Sequence, residues 1–197
     1  MTKFEILDQL TEAGNGYLQT SKAVEAGVAK KTLASFVAAR GMSRVAHGVY
    51  ATEDVWEDKY YLLHLRNSKM IFSHESALYL HVLMDREPMR ITVTVPQNYN
   101  SSHITSQGVK VVHAKEEWYD IGISETTTNF GNAVAVYDKE RTICDIIRSK
   151  KDIEIQIYKT AIREYMSESD KRLGNLISYA RIFGIENEVR TYTEVML

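Results

Sequence analysis

Three glycines, Gly27, Gly41 and Gly48, divide residues 20–51 so closely that few folds can accommodate the segment. Ahead of Gly27, Thr20 or Ser21 is placed to cap a short helix running through Ala23, Val24 and Ala26. Between Gly27 and Gly41 the spacing predicts a helix over about residues 29–40, with Leu33, Phe36 and Val37 at i, i+3, i+4. Gly41 stops it. Beyond it, two β-prone pieces, Ser43-Arg44-Val45 and Val49-Tyr50-Ala51, flank a turn at His47-Gly48. Upstream, Thr2 and Glu5 have capping-box spacing, and Phe4, Leu7 and Leu10 share one face of a first helix that Gly14 and Gly16 end. Tyr17-Leu18 fits a short strand or a packed linker. Helix, helix, glycine turn, helix, hairpin is the order of a winged helix-turn-helix, expected over residues 1–55.

The helix after Gly27 carries a second pattern. With Leu33 at the centre of the buried face, Phe36, Val37 and the stem of Arg40 fall on the same side. Lys31, Ser35 and Ala38 then point outward, with Thr32 on the flank. A long cation, two hydroxyls and small alanines let a helix enter a major groove about 12 Å wide. Residues 20–50 hold Lys22, Lys30, Lys31, Arg40 and Arg44 against the single acid Glu25, in a chain of net charge -2. Basic charge is therefore gathered where phosphates would lie. Lys30 and Lys31 also stand near a helix start, against the dipole preference. Lys31, Thr32 and Ser35 are the expected base readers. Lys22, Lys30, Arg40, Arg44 and the hairpin's His47 are the expected phosphate holders.

Residues 56–197 form the second expected domain, a mixed α/β one, which makes the whole chain α+β. Residues 53–60 lead into a connecting helix. Ser73 is placed to cap a helix containing Ala77, Leu80 and Met84. Ile91, Val93 and Val95 alternate with Thr92 and Thr94 in a strand ended by Pro96. A polar loop over 97–108, strands at Val109–Val112 and Ala133–Val136, and helices over about 139–148, 153–166 and 171–183 follow. A second basic run, Lys139, Arg141, Arg148, Lys150 and Lys151 against Glu140 and Asp145, is either a solvated helix end or an extension of a nucleic-acid footprint.

Several function classes find no support in the sequence. One cysteine, Cys144, forbids an intramolecular disulfide and suits a cytoplasmic setting. The acidic amphipathic start has no signal-peptide core, and no apolar run approaches the roughly 20 residues of a membrane span. Cys144 lies among isoleucines, as an inert buried thiol does. His74 and His81 are about 10.5 Å apart along a helix axis, too far to close one metal site. Arg141 and Asp145, at i, i+4, read as a surface pair. Asn129-Phe130-Gly131-Asn132 is a turn, and no phosphate-cradling glycine loop or nucleotidyltransferase pattern appears. Neither enzyme activity, nor a metal, nor a cofactor is expected.

The stretch SKAVEAGVAKKTLASFVAARGMSRVAHGVYA (21–51) resembles the N-terminal winged helix of the AbiEi antitoxins of bacterial type IV toxin–antitoxin systems. FSHESALYLHVL (72–83), ITVTVP (91–96) and VYDKERTICDIIR (136–148) resemble that family's C-terminal antitoxin domain, so the likeness runs in order along nearly the whole chain. His47 departs from it, standing where such wings often carry arginine. The resemblance implies an autorepressor that binds inverted repeats upstream of its own operon. It further implies an antitoxin that counters a co-encoded nucleotidyltransferase without a stable toxin complex, and self-association of copies on DNA. The residues themselves leave two alternatives: a ligand-responsive winged-helix regulator, and an adaptor that uses its winged helix against another protein.

Overall fold

In the computed structural model, which describes residues 1–196, the contacts divide the chain into two units. The first takes Met1–Ser68 together with Thr128–Asn132, and the second takes the remainder. The expected boundary at 55/56 falls inside the first unit, which extends through one further helix.

The first unit runs α1 (Lys3–Ala13), β1 (Tyr17–Gln19), α2 (Thr20–Glu25), α3 (Lys30–Ala39), β2 (Ser43–Ala46), β3 (Val49–Ala51) and α4 (Lys59–Arg66). Thr2 Oγ1 accepts from Glu5 N while Thr2 N donates to Glu5 Oε2, so the capping box of α1 forms as its spacing predicts. Leu7, Leu18, Ala23, Val28, Leu33, Phe36 and Met42 make one core, with Phe4 edge-on to Phe36 at 5.2 Å. The three strands are antiparallel in the order β1-β3-β2, and the register slips between Arg44 and Ala46, a bulge that twists the hairpin.

The start of α2 differs from expectation. Gln19 is the cap residue and makes no side-chain bond, because Thr20 is already helical and its N–H is taken by Gly48 O at 2.8 Å. A tertiary bond thus replaces the side-chain cap. Asp58, almost fully buried, caps α4 through Tyr61 N and accepts from Thr128 Oγ1 and Asn132 Nδ2 on its other oxygen. This acid holds the turn 128–132 within the first unit.

The second unit contains β4 (Ile71–Phe72), α5 (His74–Leu80), β5 (Thr92–Pro96), α6 (Ser102–Thr105), β6 (Lys110–Ala114), α7 (Glu116–Tyr119), β7 (Ile123–Thr127) and β8 (Ala133–Tyr137). It continues through α8 (Lys139–Arg148), α9 (Ile155–Ser167), α10 (Leu173–Ile182) and α11 (Glu186–Met196). Its sheet is mixed, in the order β6-β5-β4-β8-β7, with β4–β8 and β5–β6 parallel and the other pairs antiparallel. The fold of the chain is α+β. Thr92 and Thr94 of β5 are as buried as Val93 and Val95, since both faces of this strand are covered.

Helix α8 lies at the centre of this unit, with Glu140 through Ile147 all buried. Ile143, Cys144, Ile146 and Ile147 pack with Tyr158, Ile162, Leu176 and Phe183. The expectation of an Arg141–Asp145 surface pair is overturned. Both side chains are buried, 2.9 Å apart, because the helix has no solvent face on which to place them. Arg141 Nη1 also donates to Trp118 O and Ile121 O, and the guanidinium lies against the rings of Tyr137 and Phe183.

Helix α5 ends in a Schellman motif, with Leu83 N bonded to Leu78 O and Val82 N to Tyr79 O. Val82 therefore takes φ +60, a left-handed conformation that a β-branched side chain strongly disfavours. It is 79% exposed, so the side chain gives up little packing if removed. Val82→Gly is expected to stabilise the second unit by about 1 kcal/mol after the entropy glycine adds to the unfolded chain. Thermal denaturation should show a midpoint roughly 3–5 °C higher.

Candidate functional site

The outward face of α3 is set by its inward one. Leu33 and Phe36 are buried, Val37 is half-buried, and Lys30, Lys31, Ala34, Ser35, Ala38 and Ala39 are exposed, with Thr32 intermediate. The face is thus cationic at the helix start and small along its length. Ser35 Oγ donates to Lys31 O at 3.2 Å, so the hydroxyl is fixed along the helix and its oxygen is turned to acceptor duty.

The surrounding cations differ in their freedom. Lys22 is exposed on α2. Arg40 is engaged by Asp8, with Nε at 3.0 Å and Nη2 at 2.7 Å from the two carboxylate oxygens, and its guanidinium lies over the Phe36 ring. On the hairpin, Arg44 Nε donates to Ala46 O and Nη2 meets His47 Nδ1 at 3.1 Å, which holds the guanidinium and imidazole together at the turn. Lys3 was not among the sequence candidates. Its Nζ lies 3.6 Å from where a Cβ on Gly27 would stand, which brings a further cation to the α2–α3 turn. Its position on the acidic first helix gave no signal for this.

The second basic run does not present its charges together. Lys139 Nζ is bonded to both carboxylate oxygens of Glu168 at 2.7 Å and reaches Asp170. Arg148 contacts Asp145 and lies over Trp118, and Lys150 lies over Tyr158. Lys151 is exposed. Cys144 is fully buried, its thiol pushed up by burial, and its Sγ sits 3.7 Å from Leu176 O.

His74 and His81 are held by separate partners, Ser73 Oγ and Tyr137 O respectively. Among the described residues, no group of three or more His, Cys, Asp or Glu is placed to hold a metal ion, and no helix is long and apolar enough to cross a membrane. Burial lowers the pKa of both histidines from the ordinary 6.5. Asp145 and Glu75 oppose this at His74, and the Tyr137 carbonyl, Asp138 and Glu168 oppose it at His81. Below the ordinary value the unfolded chain takes up protons that the folded chain refuses. Stability is therefore expected to fall as pH drops from about 7.5 to 5.5. His81→Asn should flatten that slope in thermal melts across the range, whereas an unchanged slope would assign the loss to other groups.

No family model matches the chain, and no curated protein matches it by sequence. Among solved structures it is similar to the crystal structure of the RV2827C protein from Mycobacterium tuberculosis. The match has a TM-score of 0.54 and 14% identity, and covers 92% of this chain and 72% of that one. At this identity the likeness is one of fold, spanning both units and carrying no activity with it.

Proposed function

We propose that the chain is a DNA-binding autorepressor and the antitoxin of an AbiE-like type IV toxin–antitoxin system, with a winged helix-turn-helix in its first unit. The observation that carries the DNA-binding half is α3: its large apolar residues are all turned inward, and its exposed side offers lysines, a serine and alanines. Such a helix enters the major groove without a bulky side chain to hold it off. Lys31 donates to guanine O6 and N7. Ser35 offers an acceptor to a cytosine or adenine amino group, and Thr32 contacts the flank. Lys22, Lys30, Arg44 and His47 hold phosphates on either side, joined by Lys3, while Arg40 contributes only when Asp8 releases it.

Gel retardation with the DNA upstream of the chain's own gene tests this. Lys31→Ala and Ser35→Ala are each expected to cost about 1–3 kcal/mol of operator binding and to relax specificity at one base pair. Unchanged operator affinity in both variants would show that α3 is not the reader.

The antitoxin half rests on the resemblance of residues 72–83, 91–96 and 136–148. It is tested by co-expressing the whole chain with the adjacent gene. A nucleotidyltransferase there should be toxic alone and neutralised by the chain, and Lys31→Ala should still neutralise it. A metabolic gene there would favour a ligand-responsive regulator instead, a reading that one cleft of the second unit supports.

A further inference from the structure

The second unit encloses a cleft of about 430 Å³, whose lining includes His74, Thr94, Lys115, Trp118, Arg141 and Arg148. This volume lies within the ordinary range of small-molecule sites. The charge of the lining is lopsided: three permanent cations face one carboxylate, Asp145, which is already held by Arg141 at 2.9 Å and reached by Arg148 at 3.4 Å. Glu117 is 3.9 Å from Lys115 and well exposed. The cleft therefore keeps a positive field that its own acids do not cancel.

Its cations are also positioned in advance. Trp118 carries Lys115 Nζ at 4.7 Å and Arg148 Cζ at 4.5 Å from its ring centroid. Arg141 is fixed through Nε and Nη1, while Nη2 bonds to none of the described residues. At the floor, His74 is only 5% exposed and sits at φ +51, a strained backbone held by its surroundings. Thr94 Oγ1 donates to Ser73 Oγ at 2.8 Å, and Ser73 Oγ is hydrogen-bonded to His74 Nδ1 at 3.0 Å. The other ring nitrogen, Nε2, bonds to none of the described residues. Burial keeps this ring neutral at pH 7, and in the tautomer with its proton on Nε2 the ring offers one N–H donor to the cleft.

We propose that this cleft binds an organic phosphate of mononucleotide size, its phosphoryl oxygens taken by Arg148, Lys115, Arg141 Nη2 and His74 Nε2. Arginine's planar fork suits such oxygens, and fixed donors lose little entropy on binding. The cleft is larger than a bare phosphate needs, which leaves room for the organic part. This inference stands independently of DNA binding by the first unit.

Trp56 is 80% exposed and belongs to the first unit, so Trp56→Phe in the full chain leaves Trp118 as the single fluorescent reporter inside the cleft. This protein is titrated with the four ribonucleoside 5′-monophosphates, the matching nucleosides and inorganic phosphate, at constant ionic strength set with chloride. At least one nucleotide is expected to give a saturable change. Inorganic phosphate should compete with it more weakly, and the nucleosides should give none. Lys115→Gln and Arg148→Gln should each weaken binding about tenfold or more, as expected for loss of one charge-assisted contact. His74→Asn tests the floor in a residue that tolerates positive φ, and it should weaken binding severalfold.

Three results would overturn the proposal: no response up to about 5 mM, equal responses to nucleosides and nucleotides, or undiminished binding in both Lys115→Gln and Arg148→Gln. Melting curves of each variant separate lost binding from lost folding.

Discussion

Arg141→Met is expected to destabilise the second unit by about 3–5 kcal/mol, the cost of removing one member of a buried, hydrogen-bonded ion pair. The substitution leaves Asp145 buried with only the longer Arg148 contact, and it strips the donor from Trp118 O and Ile121 O. The stack of the guanidinium between the Tyr137 and Phe183 rings is lost as well. Lysine should not rescue, because one ammonium cannot span the carboxylate and two carbonyls that the fork reaches. Trp118 fluorescence in a Trp56→Phe background follows this unit, and its thermal midpoint should drop by roughly 10–25 °C. The double variant Arg141→Met/Asp145→Leu should recover part of the loss, since the stranded charge is then gone. A single variant within about 1 kcal/mol of wild type would mean that solvent already reaches the pair and that α8 is not the buried centre described above.

The same pair shows where sequence reasoning stops. Periodicity located α1, α3, the β2–β3 hairpin, β5, β8 and the helices α8, α9 and α10, because in each an apolar face or alternation marks the buried side. In α8 the pattern Lys139–Arg148 still reads as an amphipathic helix. A charged residue at i and another at i+4 look the same whether they face water or each other inside a core, and only the elements packed over α8 decide. Strand β4 is two residues long, and β7 reads ISETT, with no residue fully buried. Neither carries enough apolar signal to stand out, and both exist by pairing with neighbours. For the site, helix geometry was enough to put Lys31 and Ser35 outward. The engagement of Arg40 by Asp8 and the approach of Lys3 to Gly27 depend on how α1 packs against α2 and α3, a tertiary fact that no spacing within one segment encodes. The cleft of the second unit lies further still from the sequence, since its residues come from α5, β5, β6, α7 and α8 and their neighbouring loops.

Lys30→Glu/Lys31→Glu is expected to weaken binding to any duplex by more than about 100-fold at moderate salt, by removing two phosphate or base contacts and adding two repulsions. With Arg40 held by Asp8, the permanent cations placed at phosphates are Lys3, Lys22, Lys30 and Arg44. Four neutralised phosphates correspond to a log–log salt slope of about -3.6, against about -5 for six. The double reversal should flatten the slope by about 0.9 or more, whereas Asp8→Asn, which releases Arg40, should steepen it by about 0.9 and tighten binding. These opposite changes separate an interface built on α3 from a general loss of positive charge. If Asp8→Asn leaves slope and affinity unchanged while Lys30→Glu/Lys31→Glu abolishes binding, Arg40 lies outside the footprint and the interface is narrower than proposed. If the double reversal leaves the slope where it was, no phosphate is neutralised by α3, and the first unit meets its partner by another face.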